Sequence, residues 1–219
     1  MTTPPGGTER PVPVVSIPEI RDYQRINAEL VAHLGAGHGR VRLAGAEGQR
    51  LLVSGLSGDW VAVIEVEGRA GPELAAEMDA PGLTVVCGGP ATDGAGRGLR
   101  AGRLVIRGDA GPALGYAMQG GTIVALGSVG PRAGLNQRGG LIVALGAVGP
   151  LAAERQAGGR FFAFEDRLGP HAGRGRRGGT FGRFVPGDEP PRYLDPEGLA
   201  SYFEAGRNEG ASKIGPSDA

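Results

Sequence analysis

The sequence predicts an all-β fold, a single-stranded right-handed parallel β-helix of about six to seven coils, flanked by an N-terminal helix and a short helical C-terminal tail. Three observations carry that prediction. A strand-like stretch returns every 19 or 20 residues, glycine recurs at fixed offsets after it, and Gly-Pro pairs keep the same beat.

Repeat units open at Val63, Leu83, Arg103, Thr122, Leu141 and Arg160, with Thr180 opening a partial one; from Arg103 to Arg160 the spacing is 19. Their first residues, such as RLVIR, TIVAL, LIVAL and RFFAF, are rich in the β-branched and aromatic side chains that strands favour. At ~3.3 Å per residue, one unit makes a circuit of roughly 60 Å, room for three short faces around a thin core, each circuit about 4.8 Å above the last.

Glycine supplies 43 of the 219 residues, against an ordinary share of about 7%. Collagen would place it at every third position, and a disordered chain would lack the valine and isoleucine runs, so neither class fits. Glycine stands five residues into the unit at Gly68, Gly88, Gly108, Gly127 and Gly146, and eight in at Gly111, Gly130 and Gly149. It stands twelve in at Gly115 and Gly134, where the next unit has Ala153. These are expected corner positions, where the backbone needs φ > 0 or passes its neighbour too closely for a Cβ. Proline after glycine, as at Pro112, Pro131 and Pro150, fixes φ and gives up an N–H that no ladder requires. In the unit at Arg160 the register slips: Glu165 stands five residues in, where glycine is expected, and Gly169 comes one residue late. A phosphate-cradling loop is the alternative for GDAGPALG, but such a loop occurs once, between a strand and a helix, and this pattern recurs with no helical segment after it.

Charge decides which strand side chains face outward. Glu65, Glu67 and Arg107 occupy the third and fifth places of their units, and an unpaired charge inside a narrow coil is too costly. The second and fourth places then form the core: Ile64/Val66, Leu104/Ile106, Ile123/Ala125, Ile142/Ala144 and Phe161/Ala163. By the same parity Val124, Leu126, Val143, Leu145, Phe162 and Phe164 form a continuous apolar outer face, which the chain's own termini or a partner subunit must cover.

Residues 1–15 read as an extended Pro-rich segment, 16–36 as a helix, 37–184 as the glycine-rich β-helix and 185–219 as a tail. The helix carries a Ser16/Glu19 capping box and an apolar stripe of Ile20, Tyr23, Ile26, Leu30 and Leu34, and its expected use is to cap the first coil. In the tail a short helix places Leu199, Tyr202 and Phe203 on one side as a hook for a partner.

Few side chains point to chemistry. His33, His38 and His171 are scattered away from Cys87 and from one another, so no metal site, catalytic set or cofactor site is assigned. Cys87 falls on an outward place and reads as filler, and GRGRRGG (173–179) reads as a solvated corner in preference to an RNA contact. With 23 basic and 23 acidic residues the chain has no net field for nucleic acid or a membrane. One cysteine, no signal-like start and no apolar span make a cytoplasmic location the expectation.

Residues 48–86 and 93–134, with the motifs Gly48-Gln49-Arg50, AAEM, Asp93-Gly94 and GYAM followed by Gly-Gly, resemble the glycine-rich (GXGXG) C-terminal β-helix domain of the glutamate synthase large subunit, in its stand-alone form. A related β-helix occurs in one structural subunit of formylmethanofuran dehydrogenase and of the bacterial formyltransferase/hydrolase complex. The resemblance implies a non-catalytic scaffold within a hetero-oligomer in nitrogen metabolism, partnered by amidotransferase and FMN-synthase-type subunits. Any FMN and iron–sulfur cluster would belong to those partners, and none to this chain. A structural subunit of a one-carbon complex is the alternative the same resemblance implies. A free-standing enzyme with its site along a groove of the β-helix is a third. Ala153, Glu165 and the alanine-rich inward places depart from the family pattern.

Overall fold

The structure, a computed structural model, describes residues 11–184 and the short strand Ser212–Lys213. The chain is a parallel β-solenoid of about seven turns, with two α-helices among the described residues, as the repeat predicts. One sheet runs in chain order through β1 (Val14–Ser16), β2 (Arg40–Glu47), β3 (Ala62–Arg69), β4 (Asp79–Cys87) and β5 (Ala101–Ile106). It continues through β6 (Thr122–Ala125), β7 (Leu141–Ala144), β8 (Arg160–Phe164) and β9 (Thr180–Phe184), all parallel, and β10 (Ser212–Lys213) joins β9 antiparallel. Thr122 pairs with Leu141 and Leu141 with Arg160, so like positions of successive units lie on one another.

The other two sides of each coil are narrower. A line of single parallel bridges runs through Ala70, Ala91, Ala110, Val129, Val148 and Leu168. The third side is a turn segment in which left-handed residues alternate, as at Ala113 (φ 60), Gly115 (φ 64) and Ala117 (φ 54). Alternation aims N–H groups both ways along the stack: Ala113 donates to Pro131 O of the following coil, Gly115 to Ala95 O of the preceding one. These bonds hold non-glycine residues in a conformation that costs about 1–2 kcal/mol each, including Arg132, Asn136, Leu151, Ala153 and Arg155.

Glycine's corner role therefore has two physical origins. Gly115 and Gly134 have positive φ, whereas Gly108, Gly111, Gly127, Gly130, Gly146 and Gly149 do not. Those six sit against the coil below: a Cβ on Gly130 would lie 2.6 Å from Pro112 N and 2.7 Å from Gly111 C.

The inward places form one core, with Ile64, Val85, Leu104, Ile123, Ile142 and Phe161 all fully buried. The alanines at the fourth place are compensated across the corner. Where Val66, Cys87 and Ile106 stand there, the bridge residue is Ala70, Ala91 or Ala110. Where Ala125, Ala144 and Ala163 stand there, it becomes Val129, Val148 or Leu168. Volume is thus conserved around each corner.

Deeper in the unit a second ladder changes character. Met78, Leu99 and Met118 are followed by Gln137 and Gln156, both fully buried. Gln156 Nε2 donates to Gln137 Oε1 at 3.0 Å, and Gln137 Nε2 donates to Arg160 O and Gly139 O, each at 3.1 Å. Gln156 Oε1 accepts no hydrogen bond among the described residues.

Several expectations need correction. Val63 pairs with Thr84, and Thr84 with Arg103, so the unit read as opening at Leu83 opens one residue later. The extra residue is taken up between Asp79 and Thr84, where the ladder to β5 shifts register. Cys87 consequently points into the core instead of outward, and Gly89, not Gly88, takes the corner against Gly68. The slip in the unit at Arg160, by contrast, lies where the glycine spacing puts it: a 3₁₀ turn at Glu165–Arg167 absorbs the added residue.

The helix read over 16–36 is two helices, α1 (Ile17–Ile20) and α2 (Tyr23–Gly35). Arg21 at φ 59 breaks them apart, Ser16 makes no side-chain cap, and Asp22 Oδ1 instead accepts from Gln24 N (2.7 Å) and Arg25 N (3.3 Å). Val14–Ser16, just before α1, already belongs to the sheet as β1. α2 closes the first coil, burying Ile26, Leu30 and Leu34 in the core. Asn27 completes that closure: its Oδ1 accepts from Val53 N (2.9 Å) and its Nδ2 donates to Leu51 O (3.0 Å).

Candidate interface

The sheet's outward face changes composition along the stack. Over β2 and β3 it is ionic: Arg40 meets Glu65 at 2.6 Å and Arg42 meets Glu67 at 3.0 Å. From β4 onward the same column reads Val86, Val105, Val124, Val143 and Phe162, because a parallel ladder stacks the third place of every unit. Val105, Val124, Leu141, Val143 and Phe164 form a buried apolar cluster separate from the core, with Val86, Leu145 and Phe162 packed at its margin.

Burial grades this face. Val124 and Val143 are fully buried and Phe164 nearly so, whereas Leu126 is 37% exposed. Leu145 and Phe162 are half-buried, and the Phe162 ring lies against Gly182 of β9. Parity alone gives these six residues equal standing; the structure leaves Leu126 the most exposed of them. Leu199, Tyr202 and Phe203 lie outside the described residues.

At the rim near the 3₁₀ turn, Arg167 places its guanidinium 4.6 Å from the Phe164 ring centroid and donates to Leu145 O at 2.6 Å. Glu165, which stands where the other units have a corner glycine, holds Arg183 of β9 at 2.7 Å. The edge of the apolar face is thus finished by a cation–π contact and an ion pair between the 3₁₀ turn and β9.

Of the residues considered for chemistry, His33 and His38, scattered in the sequence, come together with ring centroids 5.4 Å apart, edge to face, while His171 and Cys87 lie in other coils. His38 Nδ1 lies 3.0 Å from His33 O, and His33 Nε2 lies 4.0 Å from Glu29 Oε1 at the far end of α2. His171 occupies a left-handed turn position of a later coil. Among the described residues no group of three His, Cys, Asp or Glu side chains could hold a metal ion. Burial pushes the Cys87 thiol's pKa above its ordinary value, which disfavours the thiolate. No helix among the described residues is long and apolar enough to cross a membrane.

Comparison with family models, with curated proteins and with solved structures finds no match for this chain in any of the three.

Proposed function

We propose that the chain is a non-catalytic scaffold subunit of a glutamate-synthase-like assembly, holding an amidotransferase subunit and an FMN-dependent synthase subunit in register. The observation that carries this reading is what repeats. From β5 to β8 the positions kept in step supply ladder register, core volume and corners, and no acid, base, nucleophile or ligand recurs with them. A stack of this kind transmits a fixed separation along its axis, about 4.8 Å per coil. The resemblance of residues 48–86 and 93–134 to the glutamate synthase β-helix supplies the class of assembly, and the exposed Leu126 edge supplies a contact.

The test is affinity capture of the full chain followed by mass spectrometry. Recovery of amidotransferase and FMN-binding subunits is expected, and Leu126→Asp is expected to lose them while the circular dichroism stays β-rich. Capture unchanged in Leu126→Asp removes the interface argument. Glutamine hydrolysis by the chain purified alone would refute the scaffold reading itself.

A further inference from the structure

Along the corner that precedes each strand, the last coils gather arginines on one side. Arg138, Ala157 and Arg177 form one column, since the N–H of each donates to the coil below, at Met118 O, Gln137 O and Gln156 O. Asn136 and Arg155 lie beside it in left-handed turn positions, at φ 56 and 53. Together these five residues line a surface cleft of about 490 Å³.

The cleft exists because of Ala157. Coils stack ~4.8 Å apart, so Arg138 and Arg177 stand about 10 Å apart with only a methyl group between them. A longer side chain at the middle position would fill that gap.

Electrostatically the arginines of the cleft differ from five others in the chain. Arg40, Arg42, Arg97, Arg132 and Arg183 each hold a glutamate. Arg138, Arg155 and Arg177 make no ion pair among the described residues, and the nearby Glu154 carboxylate is engaged by Arg132 at 3.6 Å. Three exposed guanidinium groups thus converge on one cleft in a chain whose formal net charge is zero.

We infer that this cleft binds a small polyanion, a metabolite with two or more phosphate or carboxylate groups spread over up to about 10 Å. Guanidinium groups pair with such oxyanions through parallel N–H donors, and Asn136 adds a neutral amide beside them. Among the described residues no aromatic side chain lines the cleft, so they offer no stacking platform of the kind that single-stranded nucleic acid uses. The site is independent of the scaffold reading, because it lies on the corner and not on the apolar face.

Isothermal titration of the full chain with inorganic pyrophosphate, and separately with citrate, tests this. One saturable site per chain is expected for at least one probe, weakening as salt rises. Arg138→Gln and Arg177→Gln should each lose about ten-fold in affinity, the loss typical of one charge-assisted contact. Ala157→Leu keeps every charge and is exposed, so it leaves the fold intact; it should lose at least as much by filling the cleft. The tighter probe assigns phosphate or carboxylate as the preferred group. Absence of saturable binding for both probes, or affinity unchanged in Ala157→Leu, overturns the proposal. So does tighter binding of an eight-nucleotide single-stranded RNA that Ala157→Leu leaves unaltered, since that would place the activity on diffuse surface charge.

Discussion

Asn27 performs a task that elsewhere in the molecule belongs to a neighbouring coil, and removing it should unfasten the capped end. In later coils the central turn N–H donates downward to a backbone carbonyl: Ala75 to Leu52 O, Gly96 to Leu74 O, Gly134 to Leu114 O. Val53 occupies that position in the first coil, where no coil lies beneath, and donates to Asn27 Oδ1 instead. Val53 is fully buried, so Asn27→Ala leaves its N–H without water or partner, at a cost of about 1–3 kcal/mol. Loss of the 3.0 Å bond to Leu51 O adds about 0.5–1.5 kcal/mol. A total near 2–3 kcal/mol corresponds to a fall in Tm of roughly 4–12 °C for a chain of this size. Because a solenoid's stability is summed over neighbouring turns, the loss should be concentrated where it is made. Native-state hydrogen exchange at Val53 should accelerate about 30-fold or more, while amides of β6 to β8 keep their protection. Asn27→Leu preserves the bulk and should behave like the alanine variant. Unchanged exchange at Val53 in both variants would refute the idea that a side-chain amide replaces a missing coil.

Two further perturbations address the interior. Gln137→Met alone removes the closest of the three acceptors of the buried Gln156 amide, leaving the longer bonds to Gly159 O and Thr180 O, and should cost about 1–2 kcal/mol. Gln137→Met with Gln156→Met restores the apolar ladder that Met118 represents, and should recover most of that loss in a denaturant titration; simple additivity of the two single variants would show that the amides are not coupled. Gly130→Ala drives a Cβ into the Pro112 backbone and should destabilise by about 1–3 kcal/mol or more, whereas Gly35→Ala, with open space around its Cβ, should be neutral or slightly stabilising; equal effects would separate the glycine pattern from close approach.

Much of the fold was legible because a parallel solenoid writes its register directly into the sequence: a spacing of 19 from Arg103 to Arg160 places Thr122 on Leu141 and Leu141 on Arg160. The same logic fails at β4, where the two consecutive glycines, Gly88 and Gly89, can each satisfy the pattern. A one-residue slip inverts side-chain parity, and that is why the repeat puts Cys87 on the wrong side. The helix break escapes for a related reason. Ser16 and Asp22 are both good N-cap residues, and only the chain's passage from β1 to the first coil selects the second. Asn27 gives no signal at all, since a polar residue on a helix looks solvated until the unpaired first coil appears beneath it.

The left-handed corners and the arginine cleft expose a deeper limit of reading along one unit at a time. Arg132, Leu151 and Arg155 are poor residues for positive φ by their own propensity, yet each N–H reaches a carbonyl of the following coil: Pro150, Pro170 and Arg174 respectively. The stack imposes the conformation, and propensity yields to it. The alanine-rich inward places look underfilled for the same reason, because Ala125, Ala144 and Ala163 are balanced by Val129, Val148 and Leu168 across a corner. Parity on the outer face gives direction but not cover, so Val124 and Leu126 look equivalent although one is buried and the other exposed. Arg138, Arg155 and Arg177 each stand in a different unit, 17 to 22 residues from the next, amid ordinary polar neighbours. Only the vertical spacing of the coils brings them to one cleft, and properties of that kind belong to the columns of a solenoid and not to its rows.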